Sequence, residues 1–540
     1  MALHQSEQAT TPRFPIEIRR FPWIKRLASD YAFDYPRVSE FFTGNPTDPA
    51  AWRAAIARAQ RHPRQRDQIA DIVLAQQRLR GAPPDALAAA ARLRDPQSVA
   101  IVTGQQAGLF GGPLFTLLKA VTAIQLAERT SAEYRVPTSA VFWIDAEDHD
   151  WDEVKSCGVL NADLELVRIT LGQPPGAGDG PVARVRLDDS IQEAVDLLAK
   201  TLPATGFTPG LLDAVRAAYT PGAGMVDAFG RWLDTWLGPR GLVVFDSADP
   251  AAKPLASGLF TREIEHAGET SRLAAAAGSR LTGLGYHAQV VPQEDQAALF
   301  HIDGTRSSIR VGDAKEKLLQ RVRANPAAFS PNVLLRPLVQ DTLFPTVCYV
   351  AGPNELAYLG QLRGIYDAFG VPMPLMQQRA SATILDSNAM RLLARHELPL
   401  EALRAQDESA LNALLRAQIP AAVGGSLDEA ARVLADRMDA VAKAVAQVDA
   451  TLEAATRSTL GRMQDDLKKL QGKVIQAAKR KDETLRRQFQ HAQAQAFPGG
   501  HPQEREIGFV YFLNKYGAGL VDRLSEELPL DQGRHWVMTI

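Results

Sequence analysis

SVAIVTGQQAGLFGGP, residues 98–113, decides the fold of this chain. Its first six residues are rich in β-branched apolar side chains, which is typical of a buried strand, and its last ten are rich in glycine. Apolar residues then recur at helical spacing from residue 114 to about 129, and a second strand is predicted from about 137 to 144. This succession of strand, loop, helix and strand is a βαβ unit, which implies a parallel sheet.

The same alternation continues along the chain. Further strands are predicted at residues 241–245 and 346–350 and from residue 373, and further helices at about 250–266, 330–343 and 355–369. The predicted fold class is therefore α/β, with a doubly wound parallel sheet. Two less regular stretches, at about 157–240 and 268–330, interrupt this core, and alternating residues in the second predict a hairpin.

The C-terminal third has a different pattern. From Leu434 to Ala477 apolar residues recur at alternating steps of three and four, with one skip. A heptad pattern of this length predicts a coiled coil. About 60 residues of continuous helix would extend roughly 90 Å. The alternative is two antiparallel helices, with Gly461 or Gly472 at the turn.

These patterns divide the chain into four parts. We expect a helical N-terminal region that packs on the core, the α/β core, a helical coiled-coil domain and a tail that packs back on the core. Their predicted bounds are 1–95, 96–395, 396–498 and 499–540.

Composition limits the class of protein. The chain has 540 residues, of which 46% are hydrophobic and 23% charged, so it can build several hydrophobic cores. Its 60 basic and 62 acidic residues argue against a dedicated nucleic-acid binder. It has no apolar run of about 18 residues, the length that a membrane span needs. The two cysteines, Cys157 and Cys348, form neither a disulfide framework nor a metal motif, which predicts a cytoplasmic protein without a zinc site.

The glycine-rich loop is the first candidate site. It follows a strand and precedes a helix, where backbone N–H groups and the helix dipole favour an anion. It matches neither a Walker loop nor a dinucleotide-binding fingerprint. A tight structural turn is the alternative. The candidate binding residues for substrate or nucleotide are Gly104, Gln105, Gln106, Gly108, Gly111 and Gly112.

The second candidate is an acidic run just past the second strand. Trp143 to Glu153 holds six carboxylates and one histidine, at the sheet edge where the glycine loop also begins. Crowded carboxylates raise each other's pKa or bind a cation such as Mg²⁺, and a histidine beside an acid can act as a general base. A solvated acidic loop is the alternative. The candidate catalytic residues are Asp145, Glu147, Asp148 and His149.

The third candidate lies at another strand end. Arg336 can clamp a carboxylate or phosphate with two hydrogen bonds, or can instead pair with Asp341. Arg379, which follows the last apolar segment, is a weaker phosphate candidate. The remaining candidate binding residues of this group are Gln340, Gly352, Asn354, Glu355 and Tyr358.

Five segments in this order resemble one family, the cysteine-adding enzymes of bacillithiol biosynthesis (the BshC family). They are GQQAG at 104–108, FWIDAEDHD at 142–150, LRPL at 335–338 with Gln340, AGPNE at 351–355 and YFLNKYG at 511–517.

The resemblance implies a Rossmann-like core related to class I aminoacyl-tRNA synthetases, with connecting-peptide insertions and a coiled coil that forms a homodimer. It also implies a cysteine ligase that joins the carboxylate of cysteine to the amine of glucosaminyl-malate, with ATP as the energy source. Class I synthetases hold ATP with a His-x-Gly-His signature, whereas Gly108 to Gly112 contains no histidine. The competing interpretations are a nucleotidyltransferase or metal-dependent hydrolase that uses the acidic run, and a non-catalytic dimeric scaffold that binds a nucleotide.

Overall fold

A computed structural model describes residues 13–303, 305–417, 421–481 and 483–540. Its strands are β1 Arg13–Glu17, β2 Val99–Gln105, β3 Thr138–Ile144, β4 Ser156–Leu160, β5 Leu166–Thr170, β6 Leu242–Asp246, β7 Gln296–Asp303, β8 Thr305–Arg310, β9 Phe329–Pro331, β10 Thr346–Ala351, β11 Leu375–Gln378, β12 Ser381–Ile384 and β13 Arg534–Met538.

The α-helices of the N-terminal half are α1 Arg26–Phe33, α2 Pro49–Arg61, α3 Arg66–Arg80, α4 Pro84–Ala91, α5 Leu114–Tyr134, α6 Trp151–Val154, α7 Ser190–Thr201, α8 Thr208–Ala218, α9 Met225–Leu237, α10 Ser257–Glu265 and α11 Glu269–Gly283. Those that follow are α12 Lys315–Ala324, α13 Arg336–Leu343, α14 Leu356–Leu359, α15 Arg363–Phe369, α16 Ser387–Arg395, α17 Ser409–Ala417, α18 Ala421–Val445, α19 Leu452–Lys481, α20 Glu483–Ala496, α21 Gln503–Glu506, α22 Phe509–Tyr516 and α23 Gly519–Glu527.

The chain divides into two compact units. One comprises residues 13–383 and 503–538, and the other comprises residues 384–502. None of the helices within the described ranges is long and apolar enough to cross a membrane.

The core of the first unit is a five-stranded parallel sheet in the order β11-β10-β2-β3-β6. Every residue of β3 and all but the last of β2 are buried, because helices cover both faces of the sheet. The predicted βαβ unit is confirmed as β2, α5 and β3. The chain leaves β2 toward β3 on one side, while β10 pairs with β2 on the other, so the sheet changes winding direction between β2 and β10. Ligands of such folds bind at this point, outside the carboxyl ends of the strands.

The predicted hairpin in the second insertion is confirmed as the antiparallel pair β7 and β8, which β9 extends to three strands. The sequence predicts a helix that begins at residue 330, and this predicted start is wrong. Residues 329–331 form β9, and the next helix, α13, begins at Arg336. The reason is Asn332, whose side chain accepts hydrogen bonds from the Leu334 and Leu335 amides and so fixes a turn before the helix.

The second unit is helical, but the expected single 60-residue helix is wrong. Helices α18 and α19 are separated by residues 446–451 and pack against each other, so they form an antiparallel hairpin. The turn lies at neither Gly461 nor Gly472, both of which are inside α19. Asp449 instead makes the turn, because its side chain accepts hydrogen bonds from the backbone and the hydroxyl of Thr451.

The loop between β2 and α5 depends on Gly111. This residue has φ +92°, and an added Cβ would overlap the rings of Phe509 and Trp232. We therefore expect Gly111→Ala to lower the free energy of unfolding by about 3 kcal/mol or more, from backbone strain and overpacking together. Gly222→Ala is the matched control, because Gly222 has φ +84° and no atom near the added Cβ. Its cost should be only the strain of about 1 kcal/mol. Urea unfolding of both variants measures the difference, and equal costs would contradict the packing role.

Asp246, at the carboxyl end of β6, gives a pH dependence. Burial raises its pKa from 3.8 to about 6, against the Ala248 N–H that donates to its carboxylate. The folded state thus holds this proton more tightly than the unfolded state, so stability falls as pH rises from about 4 to about 6. Between about pH 4 and about pH 6 the wild type should lose on the order of 2 kcal/mol of its free energy of unfolding. Asp246→Asn should not show this loss, because asparagine does not titrate. The free energy of unfolding, measured across this pH range, tests the difference. Asp163→Asn, at an exposed turn, should leave the wild-type profile unchanged; parallel profiles for all three proteins would refute the assignment.

Candidate active site

A cavity of about 530 Å³ lies over the carboxyl ends of β2, β3 and β10, at the point where the winding direction changes. Every one of these strands contributes polar side chains to it. Eight predicted residues line this main cavity: Gly104, Gln105, Gln106, Asp145, Asp148, Arg336, Glu355 and Tyr358. The three candidate segments therefore meet in one crevice, as the sheet topology predicts.

The glutamine pair contacts the acidic run directly. The Gln106 side-chain amide donates to Asp148 Oδ2 and to Glu153 Oε2, both at 2.7 Å. Gln105 donates to Gln106 Oε1 at 2.8 Å, which fixes the orientation of that amide. Burial raises the pKa of Glu153, although the hydrogen bond from Gln106 lowers it. The acidic run is thus part of an organised polar wall, rather than a purely solvated loop.

Asp145 and Arg336 face each other in the main cavity. Arg336 Nε lies 3.6 Å from Asp145 Oδ2, and the Arg336 guanidinium also donates to the Tyr358 hydroxyl at 3.2 Å. Burial raises the pKa of Asp145 in spite of this cation, and Asp148 and Glu147 raise it further. The predicted alternative, an ion pair between Arg336 and Asp341, is wrong, since the Asp341 carboxylate accepts hydrogen bonds from Tyr366 and Gln340.

Lys119 connects two of the candidate segments. This buried residue of α5 donates to the Gly104 carbonyl at 2.8 Å and to Gln105 Oε1 at 3.1 Å, and it forms an ion pair with Glu355. Burial lowers the pKa of Lys119, whereas Glu355 raises it. Within the described ranges, Glu355 Oε2 and the Trp143 indole N–H are buried without a hydrogen-bond partner. Glu355 lines the main cavity with a partly exposed side chain, whereas the Trp143 ring packs against Phe245 and Phe344 in the core.

His149 and Glu147 lie in a smaller adjoining cavity of about 290 Å³, which Asp145, Asp148 and Arg336 also line. Glu147 pairs with Lys253 at 2.5 Å. Arg306, on β8, donates to His149 Nδ1 at 3.1 Å. Because arginine has no acceptor, this nitrogen must be unprotonated and its lone pair is occupied.

The glycines of the loop mostly shape the backbone. A Cβ on Gly108 would lie 2.8 Å from Gly112 Cα, and a Cβ on Gly104 would lie 2.8 Å from the Trp143 carbonyl oxygen. Gly111 packs on aromatic rings, as described above, and Gly112 has φ +73°. Close packing thus supports the structural-turn interpretation for these glycines, while the two glutamines face the main cavity. Gly108 and Gly112 also line a separate cavity at the start of α5.

Besides Gly108, Gly111 and Gly112, four predicted binding residues lie outside the lining of the main cavity. Gln340 is buried and donates to Asp341. Arg379 is buried and makes two hydrogen bonds with Glu504, at 2.9 and 2.6 Å, so its guanidinium is already neutralised. Gly352 and Asn354 belong to the turn after β10 that carries Glu355 into the crevice.

Sequence reasoning missed Lys119, Lys253 and Arg306. Lys119 alone has a local signal, since it is the one charged residue of the sequence between residues 114 and 127, directly after the glycine loop. Lys253 and Arg306 lie more than 100 residues from their partners and carry no motif. No group of three His, Cys, Asp or Glu side chains suited to a metal ion occurs among the described residues.

Comparisons with known proteins identify the family of this chain. The chain matches the family models "Bacillithiol biosynthesis BshC, N-terminal Rossmann-like domain" over residues 15–380 and "Bacillithiol biosynthesis BshC, C-terminal coiled-coil domain" over residues 382–540. Curated relatives bear the name "Putative cysteine ligase BshC". The protein of Salinibacter ruber is 36% identical over 99% of both chains. That of Koribacter versatilis is 33% identical over 95% of this chain and 97% of its own, and that of Chlorobaculum tepidum is 32% identical over 81% and 82%. Full-length similarity, together with both domain models, shows that this chain belongs to the BshC family of bacillithiol biosynthesis.

Proposed function

We propose that the protein is an ATP-dependent carbon–nitrogen ligase that joins the carboxylate of cysteine to the amine of glucosaminyl-malate, the last step of bacillithiol biosynthesis. The names of its relatives support a cysteine ligase. The observation that carries the proposal is the contact of Gln106 with Asp148 and Glu153, which unites two distant motifs in one crevice.

Amide formation sets two chemical requirements. The cysteine carboxylate needs a better leaving group than oxide, which a mixed anhydride formed with ATP provides, either an acyl phosphate with release of ADP or an acyl adenylate with release of pyrophosphate. The amine needs a free lone pair, so its ammonium form must give a proton to a base. Attack then forms the C–N bond, and the phosphate-bearing oxygen leaves. The Arg336 guanidinium is a donor in the cavity wall that can stabilise the developing oxyanion.

Asp148 is the better placed of the two candidate bases. Its carboxylate is held by Gln106 and by the His149 backbone N–H, and it lines both the main and the adjoining cavity. His149 is more exposed, and its Nδ1 lone pair is taken by Arg306. We therefore assign proton removal to Asp148 and a positioning role to His149.

ATP and Mg²⁺ remain part of this proposal. The crevice at the change of winding direction is where open α/β sheets bind nucleotides. The His-x-Gly-His signature is missing, so the glutamine pair and Lys119 are the groups of this chain that would replace it near the phosphates. Mg²⁺ would enter with the phosphates, since the described residues offer no three-ligand metal group of their own.

Both cysteines are buried as free thiols, which agrees with a reducing compartment. We propose that the protein works in the cytoplasm.

The reaction is tested with purified protein, cysteine, glucosaminyl-malate and ATP, with mass detection of the thiol product. We expect Asp148→Asn to lower turnover about 10²-fold or more, the usual effect of losing a general base. The sequence motif predicts a similar loss for His149→Ala. If His149→Ala retains turnover and Asp148→Asn does not, Asp148 is the residue that removes the proton. The control, Asp163→Asn, should match the wild type. Normal product formation by both Asp148→Asn and His149→Ala would remove these two residues from the mechanism.

The helical hairpin supports a homodimer. The heptad residues Val441, Met463 and Leu470 are 44%, 41% and 48% exposed on α18 and α19. Apolar side chains that remain exposed at heptad positions mark a protein interface. We propose that a second copy of the chain covers this surface.

Light scattering tests the dimer. Leu470→Glu with Met463→Glu should shift the protein from dimer to monomer, because charges would be buried without partners. Ser458→Glu, at a polar exposed position of α19, should leave the dimer intact. A wild-type monomer at micromolar concentration would contradict the pairing.

A further inference from the structure

A second cavity, of about 350 Å³, lies at the N-terminus of α5. It borders the main cavity, because Gln105, Gln106 and Glu153 line both. A ligand that passes over these three side chains can therefore occupy both cavities at once. We call this second cavity the α5 cavity.

Thr116, in the first turn of α5, lines the α5 cavity. Its side chain is fully buried, and its hydroxyl oxygen has no hydrogen-bond partner in the part of the chain that the structure describes. A buried hydroxyl without a partner is unfavourable unless a ligand supplies one. The helix behind it has 21 residues, and its N-terminus carries a partial positive charge that favours an anion.

Arg505 supplies the charge. It lines the same cavity, and its guanidinium lies 5.9 Å from the centre of the Phe115 ring. Across the described ranges no carboxylate is within ion-pair distance of it. Burial lowers the pKa of Arg505 and Arg379 lowers it further, whereas the carboxylates of Glu504, Glu355 and Glu153 raise it.

Two ion pairs on the rim are closed, because Arg168 pairs with Glu506 at 2.6 Å and Asp152 pairs with Lys155. Glu153 accepts a hydrogen bond from the neutral Gln106 amide and keeps its charge. Among the described residues that line this cavity, the Arg505 guanidinium and the Thr116 hydroxyl are thus the donors left for a ligand. They match a single carboxylate, whereas a triphosphate with about four negative charges would need several more cations.

We propose that the α5 cavity binds a carboxylate of the amine substrate through Arg505 and Thr116, while the amine reaches Asp148 in the main cavity. This inference rests on the proposed function and adds the substrate group that the protein recognises.

Steady-state kinetics test it with two matched pairs of variants. We expect Arg505→Gln and Thr116→Val to raise the KM for glucosaminyl-malate about tenfold or more, with little change in kcat or in the KM for cysteine. Arg505→Lys and Thr116→Ser, which keep the charge and the hydroxyl, should recover most of the affinity. The wild type should also prefer glucosaminyl-malate over its dimethyl ester, and Arg505→Gln should lose this preference. A rise in the KM for ATP instead would assign the site to phosphate and overturn the proposal.

Calorimetry with malate as the probe separates this inference from the proposed function, because it needs no turnover. Malate binding that Arg505→Gln abolishes, in a protein without ligase activity, would support the cavity and refute the reaction. Normal ligation with an unchanged KM for glucosaminyl-malate in folded Arg505→Gln would refute the cavity and leave the reaction intact. Circular dichroism of each variant confirms folding.

Discussion

The side-chain amide of Gln106 is the contact on which the candidate site depends. Its two N–H groups satisfy one carboxylate oxygen of Asp148 and one of Glu153, which holds two acidic groups together that would otherwise repel each other. A neutral donor does this without cancelling their charge, whereas a lysine or an arginine would cancel it. The carboxylates therefore keep the ability to accept a proton, and the loop after β2 is tied to the segment after β3.

Around this contact, charge is balanced in pairs that cross the sheet edge. Lys119 joins α5 to the turn after β10, Arg336 joins α13 to Asp145, and Lys253 reaches Glu147. Pairs of this kind are costly to break once they are buried, since one partner then remains as an uncompensated charge. These ion pairs therefore hold the charged side chains of the main cavity wall in fixed positions. Among the described residues of this wall, Glu355 Oε2 is left without a hydrogen-bond partner and can still accept one.

Local sequence patterns were sufficient wherever neighbours in the chain decide the structure. The βαβ unit follows from apolar periodicity, and the meeting of Gln106 with Asp148 follows from the shared edge of parallel strands. Patterns failed where a partner comes from far along the chain. Arg379 reads as a free cation, but Glu504, 125 residues away, neutralises it. The heptads predict coiled-coil helices but not the turn at residues 446–451, because neither Pro nor Gly marks it.

The return of the C-terminal segment limits the backbone donors that the glycine loop can offer to an anion. The Leu114 amide, the first of α5, donates to the Ile507 carbonyl, and the Phe509 amide donates to the Gly112 carbonyl. The helix N-terminus is thus partly capped by protein backbone. The same segment brings Arg505 over Phe115, in the cavity that Thr116 also lines. Selectivity for an anion then comes from these side chains rather than from bare backbone amides, which lets the site match one carboxylate in place of a larger phosphate group.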